Sequence, residues 1–263
     1  MASLKRFLKS NSHSKFFKVL AGFGRALNRF YENRNHDIYS NGEITILKKL
    51  SKLNSKIVID GGANIGDYSL LINKIIPSCK VFCFEPVNNT FNTLLSKTKN
   101  IDNINAINKG LYKENCSMNM NVYDSHTHSS LYEMQKFSNE QLKTQESILV
   151  KGDDFLKENS IEKVDFLKID IEGAEYDALL GFKQSILEGK IRVIQFEYGL
   201  KNISTKKLLI DYYEFFENIG YIVGKVFPKT VEFRKYNYKY EDFLGPNFIA
   251  VKKTDLEIIR LLK

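Results

Sequence analysis

The side chains best placed to do chemistry in this 263-residue chain are carboxylates that follow short apolar runs. The run Lys56–Asp60 passes into Asp60-Gly61-Gly62-Ala63-Asn64-Ile65-Gly66-Asp67, a glycine-rich loop with an acid at each end. The run Lys80–Glu85 finishes Phe84-Glu85-Pro86, and Glu85 lies 19 residues past Gly66. Val164–Asp170 leads into Asp170-Ile171-Glu172-Gly173-Ala174-Glu175, and Ile191–Glu197 ends on Glu197. If these runs are parallel strands of one sheet, their acids gather at its carboxyl edge, where such sheets bind ligands. An acid about 20 residues beyond a glycine loop grips ribose hydroxyls, so the pattern implies a nucleoside.

The loop chemistry narrows the choice of nucleoside. Read as G-x-G-x-x-G, the loop has Ala63 where the second glycine would let backbone approach a pyrophosphate. Asp60 would repel phosphates but suits a cation. S-adenosylmethionine has no phosphate and carries sulfonium and ammonium charges, so acid at both strand ends fits it better than a nicotinamide dinucleotide. The chain has no G-x-x-x-x-G-K-[ST] loop and no G-x-S-x-G elbow. Cys79, Cys83 and Cys116 form no C-x-x-C pair, and no metal ligand set is assigned.

Methyl transfer from a sulfonium to an oxygen is an in-line displacement that needs positioning and a nearby base. Asp170 and Glu172 are the first candidates for that base, and Glu197 is the next. His126 and His128, in Asp124–Ser130, are further candidates, although a loop histidine is more often solvent-exposed and idle. Asp170 and Glu172 have an alternative role, holding Mg²⁺ to polarise the acceptor hydroxyl. Two rival chemistries fit poorly. Exocyclic base nitrogens generally go with an Asn/Asp-Pro-Pro-aromatic turn where this chain has Asp170-Ile171-Glu172-Gly173, and base C5 methylation needs a cysteine where none is placed.

The elements that must position these groups alternate in type. Apolar β-type runs at Lys56–Asp60, Lys80–Glu85, Ile104–Leu111, Val164–Asp170 and Ile191–Glu197 are near-continuous in Val, Ile, Phe and Leu, as in strands covered on both faces. Helical periodicity fills Asp67–Ile76, Asn88–Lys97, Glu175–Leu187 and Thr205–Ile219, with Pro86 in the favoured first-turn position of its helix. The expected fold is α/β, with right-handed βαβ units and a parallel sheet. Tyr221–Phe227 and Asn247–Lys252 lack a helix between them and should pair antiparallel at one sheet edge. Residues 115–152 interrupt the alternation and read as an insertion over the active face. Tyr236, Tyr238 and Tyr240 would share one side of an extended segment and cover the sheet edge, or stack on a sugar.

Residues 1–40 form a separate basic helical segment, ahead of a catalytic domain at 41–263. Phe16, Leu20, Phe23, Leu27 and Phe30 fall on one helical face, with Lys18, Arg25 and Arg29 opposite. Gly22 and Gly24 each cost that helix about 1 kcal/mol against Ala, so it needs a surface to pack on. The preferred surface is its own domain; a partner protein or an anionic membrane face contacted through residues 1–33 is the alternative. The net charge of +8 is concentrated here: residues 1–56 hold twelve Lys and Arg against three acids, and the remainder 27 against 28. The body is nearly neutral, so no nucleic-acid partner is favoured. With no secretory leader or membrane-spanning run, the expected location is the cytoplasm, with the inner membrane surface as an option.

The combination of D-G-G-A-N-I-G-D-Y, F-E-P, D-F-L-K-I-D-I-E-G-A-E and F-E-Y-G resembles the FkbM family of methyltransferases. The resemblance covers roughly residues 40–200 and includes Asn41-Gly42-Glu43, Asn108-Lys109-Gly110-Leu111 and Ser129-Ser130-Leu131. It implies a class I, Rossmann-like fold: a doubly wound, mostly parallel seven-stranded sheet with an antiparallel edge strand. It also implies that Asp60, Gly62, Asn64 and Gly66 line the methionine portion of S-adenosylmethionine and that Glu85 takes the ribose. Gly110 and Leu111 would flank the adenine; Gly61, Tyr68, Pro86 and Asp170 complete the implied cofactor set, and Ser129 and Ser130 would face the acceptor. The family mostly methylates hydroxyl groups, often on sugars of surface glycans or on metabolites, so the implied acceptor is a hydroxylated sugar or small molecule. RNA ribose 2′-O-methylation, a nicotinamide-dependent oxidoreductase and an inactive binding module of the same fold remain the competing readings.

Overall fold

The computed structural model describes residues 2–122, 129–132, 143–243 and 245–263. Two helices, α1 (Ala2–Ser10) and α2 (Lys15–Tyr31), precede α3 (Glu43–Leu50) and β1 (Ile57–Gly61). Then come α4 (Asp67–Ile75), β2 (Lys80–Phe84), α5 (Asn88–Thr98), β3 (Ile104–Ile107), β4 (Gly110–Tyr112), β5 (Cys116–Val122) and β6 (Lys143–Lys151). The chain continues through α6 (Gly152–Glu158), β7 (Val164–Ile169), α7 (Glu175–Gly181), α8 (Lys183–Leu187), β8 (Ile191–Glu197) and α9 (Asn202–Thr205). It ends with α10 (Leu209–Asn218), β9 (Tyr221–Val226), β10 (Val231–Phe233), β11 (Asn247–Lys252) and α11 (Leu256–Leu262).

Eight strands make the main sheet, in the order β10-β9-β11-β8-β7-β1-β2-β3, with β3, β2, β1, β7 and β8 parallel. Strand alternation sends successive side chains to opposite faces and so builds two cores. Ile59, Phe84, Leu167, Ile169 and Phe196 pack with Leu179, Phe182 and Tyr212 of the helices on one face. Val58, Val81, Phe166 and Val193 pack with Ile46, Leu50, Ile72 and Ile258 on the other. The chain leaves β1 toward β2 and β3, then returns to place β7 on the other side of β1. The β1–β7 gap is therefore the point where strand order reverses, and ligand crevices open there.

The sheet is α/β, doubly wound and mostly parallel, but its far half differs from expectation. β11 pairs antiparallel with both β8 and β9, so the reversed strand lies inside the sheet. The edge is a further antiparallel strand, β10, paired with β9. Val231-Glu232-Phe233 is too short to show a period, so this eighth strand left no signal in the sequence. The run Ile104–Leu111 is not one strand either. Asn108 Nδ2 donates to Glu85 O at 3.0 Å, and the chain turns from β3 into β4, which joins β6 and β5 in a separate three-stranded sheet. Glu175–Leu187 breaks at Phe182 because Gly181 lies against backbone: a Cβ there would stand 2.0 Å from Tyr112 O. Pro86 precedes α5 and its cap residue Val87, outside the first turn. Tyr236, Tyr238 and Tyr240 do not alternate along a strand. Tyr238–Tyr240 is a 3₁₀ turn, Tyr236 packs on Tyr213, Arg234 covers Tyr240, and Tyr238 is exposed.

The expectation that α2 packs on its own domain fails. No residue of α2 is buried, and Phe16, Phe23 and Phe30 are 67%, 64% and 84% exposed. Contact with the body begins at Glu32, whose carboxylate meets Lys225 Nζ at 3.0 Å and Arg234 at 3.1 Å. Asn33 Nδ2 then donates to Asn41 O and Val226 O, tying the start of residues 33–41 to β9.

Candidate active site

The loop after β1 is clamped between the ends of its two neighbouring strands. Gly62 N and Ala63 N donate to Phe84 O at 3.0 and 2.9 Å, and Asp170 N donates to Gly61 O at 3.0 Å. Gly62 has φ +82°, and a Cβ on it would stand 1.8 Å from Asp170 O, so only glycine fits. Asn64 follows at φ +49°, a conformation asparagine tolerates, and its N–H donates to Glu85 Oε2 at 3.0 Å. Val87 N donates to the other Glu85 oxygen at 2.9 Å. The backbone thus fixes Glu85 in orientation. Burial pushes its carboxyl up to about 7, against the pull of those two N–H groups.

A cleft of about 460 Å³ opens above this loop. Such a volume suits a nucleotide-sized ligand. Asn64 after β1, Tyr68 of α4, and Glu85 and Pro86 after β2 line it, with Gly110, Leu111, Met120 and Leu149 from the small sheet. His36, Glu43, Lys168, Asp170, Glu172 and Ser129 complete the wall. The Tyr68 hydroxyl is buried there without a hydrogen-bond partner among the described residues. The apolar stretch of Leu111, Met120 and Leu149 offers a flat base a surface, while Glu85 retains acceptor capacity for hydroxyl donors.

Below the β1–β7 gap lies a buried charge cluster. Lys168 and Asp170 are two residues apart, so they leave β7 on the same face. Lys168 Nζ stands 2.9 Å from Asp170 Oδ2 and 4.0 Å from Asp60 Oδ1, over the ring of Tyr68. Burial alone would lower the Lys168 ammonium, but Asp170, Asp60 and Glu43 together raise it above its usual value. Asp60 is fully buried and accepts from Ser69 Oγ at 2.6 Å; burial raises its carboxyl, and Lys168 offsets part of that. Burial also acts to raise Asp170, yet Lys168, Lys201 and a hydrogen bond from Glu197 hold it below the usual carboxylate range. Burial, with Asp170 and Glu175 beside it, pushes Glu197 well above its usual value. Of the two, Asp170 is thus the stronger acid and Glu197 the one that holds its proton more tightly. His36 Nδ1 lies 3.6 Å from Glu197 Oε1, and burial followed by Lys201 lowers the imidazole, which is neutral at pH 7.

Of the residues expected to form the site, the structure brings Gly62, Asn64, Tyr68, Glu85, Pro86, Gly110, Leu111, Asp170, Glu172 and Ser129 to the cleft wall. Asp60, Gly61 and Gly66 are not part of the cleft wall, and Asp60 is linked to it by Lys168. Ser130 is buried, its hydroxyl donating to Glu172 O at 2.6 Å, so it braces the turn instead of facing the cleft. His126 and His128 lie outside the described residues. Glu172 has φ +62° and ion-pairs with Lys201, while Gly173 at φ +107° turns the chain back. Glu175 is buried and accepts from Ile171 N and Gly173 N at 3.0 Å, closing that turn; burial raises it to about 7.

Three residues of the site escaped sequence reasoning. His36 sits ahead of the expected catalytic domain, where nothing local marks it, and Glu43 figures only as part of Asn41-Gly42-Glu43, without a place in the site. Lys168 did leave a signal, since its position two residues before Asp170 places both on one strand face. The Mg²⁺ role weighed for Asp170 and Glu172 gains no support, because each carboxylate already faces an ammonium that would repel a cation. Asp170, Glu175 and Glu197 offer oxygens within 4.8 Å of one another, but Lys168 lies against that group too.

Residues 60–239 match the family described as Methyltransferase FkbM domain. Methyltransferase 1 of Beauveria bassiana (strain ARSEF 2860) is 31% identical over 144 residues, 47% of this chain. The match spans 57% of that relative, little more than half its length. Among solved structures, the methyltransferase FkbM from Methylobacillus flagellatus KT aligns with a TM-score of 0.47 and 18% identity, covering 75% of this chain and 44% of that one. SMU.1697c from Streptococcus mutans, a putative methyltransferase in complex with SAH, aligns at 0.43 with 12% identity, covering 78% and 94%.

Proposed function

The chain belongs to the FkbM methyltransferase family, and from that premise we propose that it moves a methyl group from S-adenosylmethionine to a hydroxyl of a sugar or a small hydroxylated metabolite. The observation that carries this reading is that one cleft holds both Glu85, fixed by two backbone N–H groups, and the partly exposed carboxylate of Asp170. Glu85 would accept from the ribose hydroxyls, Leu111 and Met120 would pack on the adenine, and the Asn64 loop would take the methionine end. The partnerless Tyr68 hydroxyl supports this fit, since a buried donor costs about 1–3 kcal/mol until it is paired. When bound, the cofactor supplies a methyl group activated on a sulfonium.

The chain's own residues then orient the acceptor and manage its proton. Asp170 faces the cleft with 37% of its side chain exposed and can accept a hydrogen bond from the acceptor hydroxyl. The acidity of that proton climbs as oxygen bonds to carbon, so a carboxylate of low pKa suffices to receive it. Glu197 shares a hydrogen bond with Asp170 and keeps it in place, and His36, 3.6 Å from Glu197, is the next group along a route for the proton outward. Glu172 is engaged with Lys201 and positions that lysine. RNA ribose is the less favoured acceptor, because the wall formed by Glu43, Asp170 and Glu172 is not a basic stripe. The free thiols Cys79, Cys83 and Cys116 suit a reducing cytoplasm, and modification of a growing glycan is the setting we favour.

The test is incubation with isotope-labelled S-adenosylmethionine and a panel of sugar nucleotides, glycans and hydroxylated metabolites, read by mass spectrometry. A base-stable methyl ether on one hydroxyl is the expected product. Label found only on nitrogen, or only on RNA ribose, would overturn the proposal.

A further inference from the structure

We propose that residues 2–31 form a docking arm that lies in the interface of an anionic lipid membrane. α1 and α2 are both amphipathic, and among the described residues nothing buries the apolar face of either. In α1, Leu4, Phe7 and Leu8 share a face and are 63%, 59% and 42% exposed. In α2, Phe16, Leu20, Phe23, Leu27 and Phe30 repeat at spacings of four and three over a helix of 17 residues, roughly 25 Å long. All five are about half exposed or more. An apolar strip of that length left open to water needs a cover.

Charge identifies the cover. Residues 2–31 hold seven Lys and Arg and no acid. At 100° per residue, Lys18, Arg25 and Arg29 point away from the apolar face of α2, and Lys5, Arg6 and Lys9 do the same in α1. A second copy of this chain could cover the apolar strips, but the flanks of such a helix pair would carry only positive charge, where stable pairs set opposite charges. A polyanion such as nucleic acid would answer the lysines and leave the phenylalanines in water. Acyl chains beneath anionic headgroups answer both at once. No helix among the described residues is long and apolar enough to cross a membrane, so the arm would lie on the bilayer and not through it.

The attachment of the arm gives docking a consequence for the site. Glu32, the residue after α2, is held by Lys225 and Arg234, and Asn33 by backbone oxygens of residues 41 and 226. Three residues on, His36 is part of the cleft wall. A bilayer holding the arm would therefore hold the cleft mouth close to its surface.

Flotation of the intact protein with vesicles tests this directly. The protein should float with phosphatidylcholine–phosphatidylglycerol vesicles, stay behind with phosphatidylcholine alone, and release as salt is raised. Phe23→Glu/Leu27→Glu should abolish flotation, and Lys18→Glu/Arg25→Glu should weaken partition by about tenfold or more. Both variants should bind S-adenosylhomocysteine with the wild-type affinity, which shows that they fold. Wild-type protein that fails to float with anionic vesicles overturns the proposal, as does flotation unchanged by Phe23→Glu/Leu27→Glu. A wild-type dimer that this variant dissolves, with no vesicle binding, would assign the face to a second copy.

Discussion

Replacing Lys168 with methionine keeps the length of the side chain and removes an ammonium that faces both Asp60 and Asp170. Asp60 is 0% exposed, and among the described residues Ser69 Oγ donates to it at 2.6 Å. Stripping the partner from a buried ion pair costs about 3–5 kcal/mol. Lys168→Met should lose that much in urea unfolding at pH 7. The pH dependence has a definite sign. Asp60 already binds its proton more tightly folded than unfolded, and loss of Lys168 strengthens that preference. Acidification then favours the folded state, so the deficit of Lys168→Met should shrink as the pH falls from 7 toward 5. Asp60→Asn placed on top removes the orphaned charge and should return at least half of the loss, as a double-mutant cycle would record. A deficit under about 1 kcal/mol, or one that Asp60→Asn leaves untouched, would refute the assignment of Lys168 as the counter-ion that holds the β1 and β7 ends together.

Glu85→Ala should weaken S-adenosylhomocysteine binding at least about tenfold in calorimetry, because charged hydrogen bonds of about 1.5–3 kcal/mol each are lost. Since burial raises the Glu85 carboxyl to about 7, affinity should fall as the pH drops below that value and level off above it; a flat profile would detach Glu85 from the ligand. Gly62→Ala should lower the melting temperature and cripple binding, with backbone strain alone contributing about 1–2 kcal/mol at φ +82°. Unchanged melting and affinity would show that the loop can move away from Asp170. Asp170→Asn should reduce kcat by about a hundredfold or more while cofactor affinity changes little, and Glu172→Gln should reduce it far less. The reverse order would make Glu172 the base.

Much of the site was legible because it depends on short-range chemistry. Asp60 through Gly66 must turn tightly after a strand, Glu85 must follow the next strand at a set distance, and Asp170 must end the fourth apolar run, so type and spacing suffice. The five parallel strands were legible for the same reason: runs such as Val164–Ile169, buried throughout, have near-continuous apolar sequences. The far half of the sheet was not. Whether Asn247–Lys252 sits at the edge or between β8 and β9 depends on which backbone edge is vacant after folding, and three residues at Val231–Phe233 are too few to mark a strand.

The sequence by itself determined that acids would stand at neighbouring strand ends around a glycine turn, and that the leading helices would be amphipathic and basic. These are periods and spacings within a few residues of each other. The tertiary structure alone decided which groups meet. It brought His36, from the stretch before the expected domain, and Glu43, from its first residues, into the cleft, put Lys168 between two carboxylates, and left Asp60 fully buried. It also left α2 without a buried residue, where its pattern had called for a partner within the domain. The contact between Asp170 and Glu197, 27 residues apart in the chain, exists only because the parallel pairing of β7 and β8 lays their ends side by side, where burial pushes the Glu197 carboxyl well above its usual value.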